Sequence, residues 1–175
     1  MKDSILSKEL VKYVTDHFRL SKQSPHGPAH WMRVRKNGLE LAKSTGANRR
    51  VVELFALFHD SCRINDNHDP GHGPRAAEFA HSCFDKGLID CSEEELILVK
   101  SACIGHTHER THPNSSIATC WDADRLDLAR VGIIPIPEKL CTVEAKRASM
   151  IEKCSLRADQ WVLKQIQREP LILDD

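Results

Sequence analysis

Three observations predict an all-α fold of about six to eight helices. Apolar residues recur at three- and four-residue spacing along most of the 175-residue chain. Capping residues, prolines and glycines fall between those stretches. No segment shows the apolar–polar alternation of a half-buried strand. The length suits a single domain over 1–175, large enough to bury a core.

The N-terminal stretch has Ile5, Leu6, Leu10, Tyr13, Val14, His17 and Phe18 at helical spacing, predicting an amphipathic helix over 3–20 with His17 packed on its apolar side. Two prolines and a glycine make 21–28 a loop. A second helix, 28–44, opens on Pro28, whose missing N–H costs nothing in a first turn, and closes at Gly46. His26 lies just outside it and His30 just inside. Asn48 caps a third helix whose stripe reads Val52, Phe55, Ala56, His59, which puts His59 on the buried face beside Asp60.

A polar loop, Ser61–Gly73, follows that His-Asp pair and is placed to close over it. His72 opens a helix over 73–86. Ser92 and Glu95 have the form of a capping box for the next, whose stripe is Leu96, Val99, Cys103 and His106; His108 falls on another row. Ser115 or Ser116 is expected to cap a helix with Ile117, Trp121, Asp124 and Leu128 on one side. Asp122 falls on the opposite side, so Asp124 is the aspartate facing the interior; Asp127 reads as a surface carboxylate or as one supporting a ligand. Gly132–Pro137 (GIIPIP) is an extended apolar connector, placed over the site or against a partner chain, and a last helix spans about 141–168.

Composition excludes several classes. With 25 basic and 25 acidic residues the net charge is zero, which argues against bulk binding to nucleic acid or anionic membrane. The seven cysteines are scattered without a Cys-x-x-Cys pair, so they read as reduced thiols rather than a disulfide framework or a zinc site. Charges interrupt 1–14, which excludes a signal peptide or membrane span there and makes a cytoplasmic location the expectation.

A buried His-Asp pair is costly unless satisfied, and imidazole and carboxylate are ordinary metal ligands. The order His30, then His59-Asp60, then Asp124, each on a predicted helix, resembles the HD superfamily of metal-dependent phosphohydrolases over roughly 25–129. The resemblance implies an HD-type helical bundle. It implies a metal on His30, His59, Asp60 and Asp124, water activated by that metal and a small phosphorylated substrate, a nucleotide foremost. The mixed N/O set suits Mn, Fe, Zn, Co or Ni, one or two per chain. His72 and His106 resemble the extra histidines of binuclear members, with a supporting role for them standing equally open. No Gly-Tyr-Pro follows His108-Glu109, so cyclic-dinucleotide specificity does not carry over.

Asp60 is the expected ligand to orient the nucleophile, with Asp66 a candidate for proton transfer. Arg33, Arg63, Arg75 and His26 are candidates to hold phosphate oxygens. Trp31 and Trp121, next to ligand positions, are expected to wall the site. A regulatory domain that binds metal and nucleotide without catalysis, or a di-iron oxygenase using His72 and His106, are the rival readings, and a homodimer through 132–137 is the expected assembly.

Overall fold

The protein is described here by a computed structural model covering residues 4–166. It contains α1 (Lys8–His17), α2 (Pro28–Thr45), α3 (Arg49–Phe58), α4 (His72–Asp85), α5 (Glu93–Gly105), α6 (Ser115–Arg125) and α7 (Ala148–Ile166). Short 3-10 turns occupy Leu128–Val131 and Pro137–Lys139, and no strand occurs among the described residues. No helix of these is long and apolar enough to cross a membrane.

The bundle is built around α3. Every residue from Val51 to Phe58 is buried, because α2, α5 and α6 surround this helix. Burying side chains the size of Phe55 and Phe58 contributes roughly 1.5–3 kcal/mol each. The one charge in that buried stretch, Glu53, is held by the Arg35 guanidinium (Nε 2.9 Å) and the Ser4 hydroxyl (2.9 Å). Asn48 caps α3 by accepting from the Arg50 and Val51 amides, and Gly46 closes α2 in the left-handed region at φ 70°. The Ser92–Glu95 capping box is formed by both of its bonds.

Several boundaries differ from the sequence reading. Ser7 caps α1, which is therefore shorter than 3–20, and His17 is exposed and stacked on Phe79 rather than packed in the core. Asn114, not a serine, caps α6; the Ser116 hydroxyl instead accepts from the Asn48 amide. The last helix begins at Ala148 because Asp122 draws the amides of Cys141 and Thr142 out of any helix, accepting from them at 2.6 and 2.7 Å. The expected end at Arg168 lies outside the described residues. Arg157 and Lys153 of α7 pair with Glu40, which fixes this helix on α2.

Two close approaches set the geometry that follows. A Cβ on Gly73 would stand 2.3 Å from the Cys103 carbonyl oxygen, and one on Gly105 would stand 2.6 Å from Trp121 Cζ2. Bare backbone at Gly73 lets the start of α4 meet the end of α5, and at Gly105 it lets the end of α5 meet Trp121 of α6.

Candidate metal centre

Four imidazoles converge on Asp60. His30 enters from α2, His59 from the end of α3, His72 from the start of α4 and His106 from the end of α5. All five residues are buried. His30 Nε2 and His59 Nε2 lie 3.0 Å apart, at 3.5 and 3.7 Å from Asp60 Oδ2. Asp124 Oδ1 completes this half at 3.3 and 3.8 Å from the same two nitrogens. On the other side, His72 Nε2 and His106 Nε2 are 2.9 Å apart and 3.3 and 3.8 Å from Asp60 Oδ1. Asp60 therefore offers one oxygen to each pair.

The donor set fits divalent cations. Each Nδ1 donates away from the centre: His30 to Asp127 Oδ2, His59 to the Phe55 and Ala56 carbonyls, His72 to the Asp69 carbonyl, and His106 to the Cys103 carbonyl. That leaves a lone pair on every Nε2, and two lone pairs facing at about 3 Å repel unless a cation or proton lies between. With metal–nitrogen bonds of about 2.1 Å, neighbouring ligands on one ion are about 3 Å apart. The groups His30–His59–Asp60 and Asp60–His72–His106 each bring three ligand atoms within 4.8 Å of one another.

Without a metal, the surrounding charges favour a proton on one histidine of each pair. Burial and Arg130 oppose charging His30, but Asp124, Asp127 and Asp60 outweigh them and raise it to about 9, while burial pushes His59 down to about 3. The other pair follows the same pattern. Burial opposes charging His106, yet the Asp60 carboxylate raises it; His72 is lowered, chiefly by burial. A metal entering either half displaces that proton.

Behind the ligands, Asp127 is fully buried and accepts from Arg33 through Nε (2.7 Å) and Nη2 (2.9 Å). It is the ligand-supporting carboxylate of the two sequence alternatives. Arg33 is accordingly committed to it and covered by the Trp161 ring at 4.4 Å, and so does not line the cavity where phosphate would bind. Arg75 is also absent from that cavity: it donates to the Cys62 carbonyl and, at 2.6 Å, to Asp69, bracing the loop that carries His72. Both corrections have one physical cause, an acidic partner that holds the guanidinium away from the cavity, although Arg33 Nη1 is left buried without a partner among the described residues.

The cluster forms part of the wall of a cavity of about 800 Å³. Arg63 and His26 do line it, with Arg63 Nε 2.8 Å from Asp60 Oδ1. Asp66 stands behind His26, accepting from the Ser24 hydroxyl (2.5 Å) and 3.0 Å from His26 Nδ1, so it orients His26 rather than facing the cavity. Trp31 and Trp121 form no part of the lining; their indole N–H groups donate to the His26 and Ala102 carbonyls and fix backbone. Arg130 was not singled out from the sequence. Its buried guanidinium bonds the Pro25 and Asp127 carbonyls and lines the cavity beside Asp124. Its position after the expected helix end gave no periodic cue.

This geometry can be set beside a known structure. The crystal structure of a predicted HD superfamily hydrolase from an uncultured Thermotogales bacterium superposes with a TM-score of 0.65. The match covers 92% of this chain and 91% of that one at 22% identity. The fold is HD-like. The His and Asp cluster likewise fits an HD-type metal site, as the sequence resemblance implied. No protein-family model matches the sequence, and no curated protein matches it.

Proposed function

We propose that the protein is a metal-dependent phosphohydrolase cleaving a small phosphate ester, nucleotides being the first class to screen. The observation that carries this reading is the position of Asp60: one carboxylate shared by two imidazole pairs, on the wall of a cavity that also presents Arg63, Arg130 and His26. Divalent cations there would polarise a phosphoryl oxygen and acidify water to supply a nucleophile near neutral pH.

The chain's own residues account for the rest. His30, His59, Asp60 and Asp124 would hold one ion, and Asp60, His72 and His106 would hold a second. Mn, Fe, Zn, Co and Ni all suit this mixed N/O set. Arg63 and Arg130 face the developing negative charge on phosphorus, a role suited to a planar guanidinium. His26, oriented by Asp66 and with its pKa lowered chiefly by burial, would accept a proton from the attacking water and relay it towards the departing alkoxide. The reaction consumes one water and yields an alcohol and inorganic phosphate.

Elemental analysis of protein purified without chelator, followed by phosphate release across a panel of nucleoside and sugar phosphates, tests this. Metal-dependent release that disappears in Asp60→Ala supports it; absence of metal even after reconstitution would sink it in favour of a binding module. The His72–His106 pair also favours one rival, a di-iron oxygenase, which consumption of O2 on a phosphate-free substrate would reveal. A cytoplasmic site of action completes the proposal.

A further inference from the structure

The cavity is lined by two chemically different sets of residues. One is cationic and hydrogen-bonding, Arg63, Arg130 and His26, in the same lining as Asp60 and Asp124. The other is apolar, Val131, Ile133, Ile134, Pro135 and Ile136, with Ile133, Ile134 and Ile136 53%, 75% and 45% exposed. Water-facing isoleucines in a row are costly, and a contiguous apolar patch marks a binding surface. Their placement is fixed. Gly132 turns the chain at φ 77° after the 3-10 turn, and Arg125 ties the carbonyls of Glu109, Arg110 and Lys139 together across the mouth.

The rest of the charged lining is Glu109, Arg110, Arg125, Glu138 and Lys139, two acids and three bases, with the Arg125 guanidinium already bonded to three carbonyls. Such a mixed set offers little net attraction to further phosphates. A lone phosphate would leave most of an 800 Å³ cavity empty, since pockets of roughly 300–1,000 Å³ hold drug-sized molecules.

We infer that the substrate is a monophosphate ester whose leaving group carries an apolar ring, the phosphoryl group seated at Arg63 and Arg130 and the ring against Ile133, Ile134 and Ile136. This rests on the phosphohydrolase reading and narrows it: small hydrophilic esters and polyphosphates are poor ligands. The isoleucines set specificity for the leaving group and take no part in the chemistry.

Calorimetric binding to the metal-loaded full chain tests it, using the non-hydrolysable probes 1-naphthylmethylphosphonate, methylphosphonate and tripolyphosphate. Naphthylmethylphosphonate is expected to bind at least about tenfold more tightly than methylphosphonate, as burial of a ring implies. The double variant I134S/I136S should reduce that ratio about tenfold at unchanged metal content. Equal binding of the two phosphonates, or a ratio that survives the double substitution, overturns the inference while leaving the phosphohydrolase reading intact. Tighter binding of tripolyphosphate overturns it equally. If light scattering shows a dimer that I134S/I136S converts to monomer, the patch is an interface between copies and the inference fails. If no probe binds and no ester is hydrolysed, both readings fall together.

Discussion

The two halves of the metal cluster share Asp60 but are supported by different chemistry. In the first, His30 leans on a buried carboxylate, Asp127, which is itself gripped by Arg33, and Asp124 adds a second ligand charge. In the second, both histidines lean on backbone carbonyls, of Asp69 and Cys103, and the only carboxylate is the shared one. A carboxylate behind an imidazole raises its basicity more than a carbonyl does. The first half is thus expected to be the tighter cation site, with the second depending on the placement of α4 against α5.

Removing what the halves share gives the largest effect. Asp60→Ala should empty both, abolishing metal content and hydrolysis together; full metal content in that variant would refute the bridging role. Separating the halves comes next. His72→Ala with His106→Ala should take the stoichiometry from two ions to one, whereas His30→Ala with His59→Ala should weaken uptake far more. Equal losses in a metal titration would show that the halves do not differ.

A subtler break concerns the support. Asp127→Asn keeps the shape but removes the charge behind His30, and metal affinity of the first half should drop about 10–100-fold. The second half should be unaffected. Asp122→Ala, on α6, is the control. Asp122 is equally buried but accepts from the Cys141 and Thr142 amides, outside the cluster. It should cost about 1–3 kcal/mol of stability by leaving those donors unpaired, with metal content retained. Thermal melts and elemental analysis of both variants decide this.

The smallest effect is in pH. The folded-state value of His30 is raised to about 9, so its charge stabilises the metal-free chain fully below about 6.5 and that contribution is lost as pH rises towards 9. Metal uptake must expel the same proton. Affinity at the first half should therefore rise across this window, with proton release visible when calorimetry is repeated in buffers of different ionisation enthalpy. Absence of proton release would mean that His30 is neutral before metal binds.

How much of this the sequence announces depends on how far apart the interacting groups lie along it. The stripe that carries His59 to the buried end of α3 and the Ser92–Glu95 box are local patterns, and each appears in the fold. The row that picks Asp124 also turns Asp122 away from the interior, whereas Asp122 is fully buried against the Cys141 and Thr142 amides, partners that no periodicity announces. Arg33 pairs with a residue 94 positions away, and helical periodicity contains no information on such a partner. Asp69 is only six residues from Arg75, but in a loop whose path no periodicity describes. The two arginines read as phosphate binders are for that reason found bracing ligands. Arg130 lies in a 3-10 turn, too short to show a face.

The bare backbone at Gly73 and Gly105 has a consequence for tinkering with the protein. Each of these glycines adjoins a histidine of the second half, His72 before one and His106 after the other. Gly73→Ala would push a methyl group into a carbonyl at 2.3 Å, and the helix ends must part to admit it. One methyl group, touching no ligand and altering no charge, would act as a shim that pries the second metal's cradle open while the first stays shut.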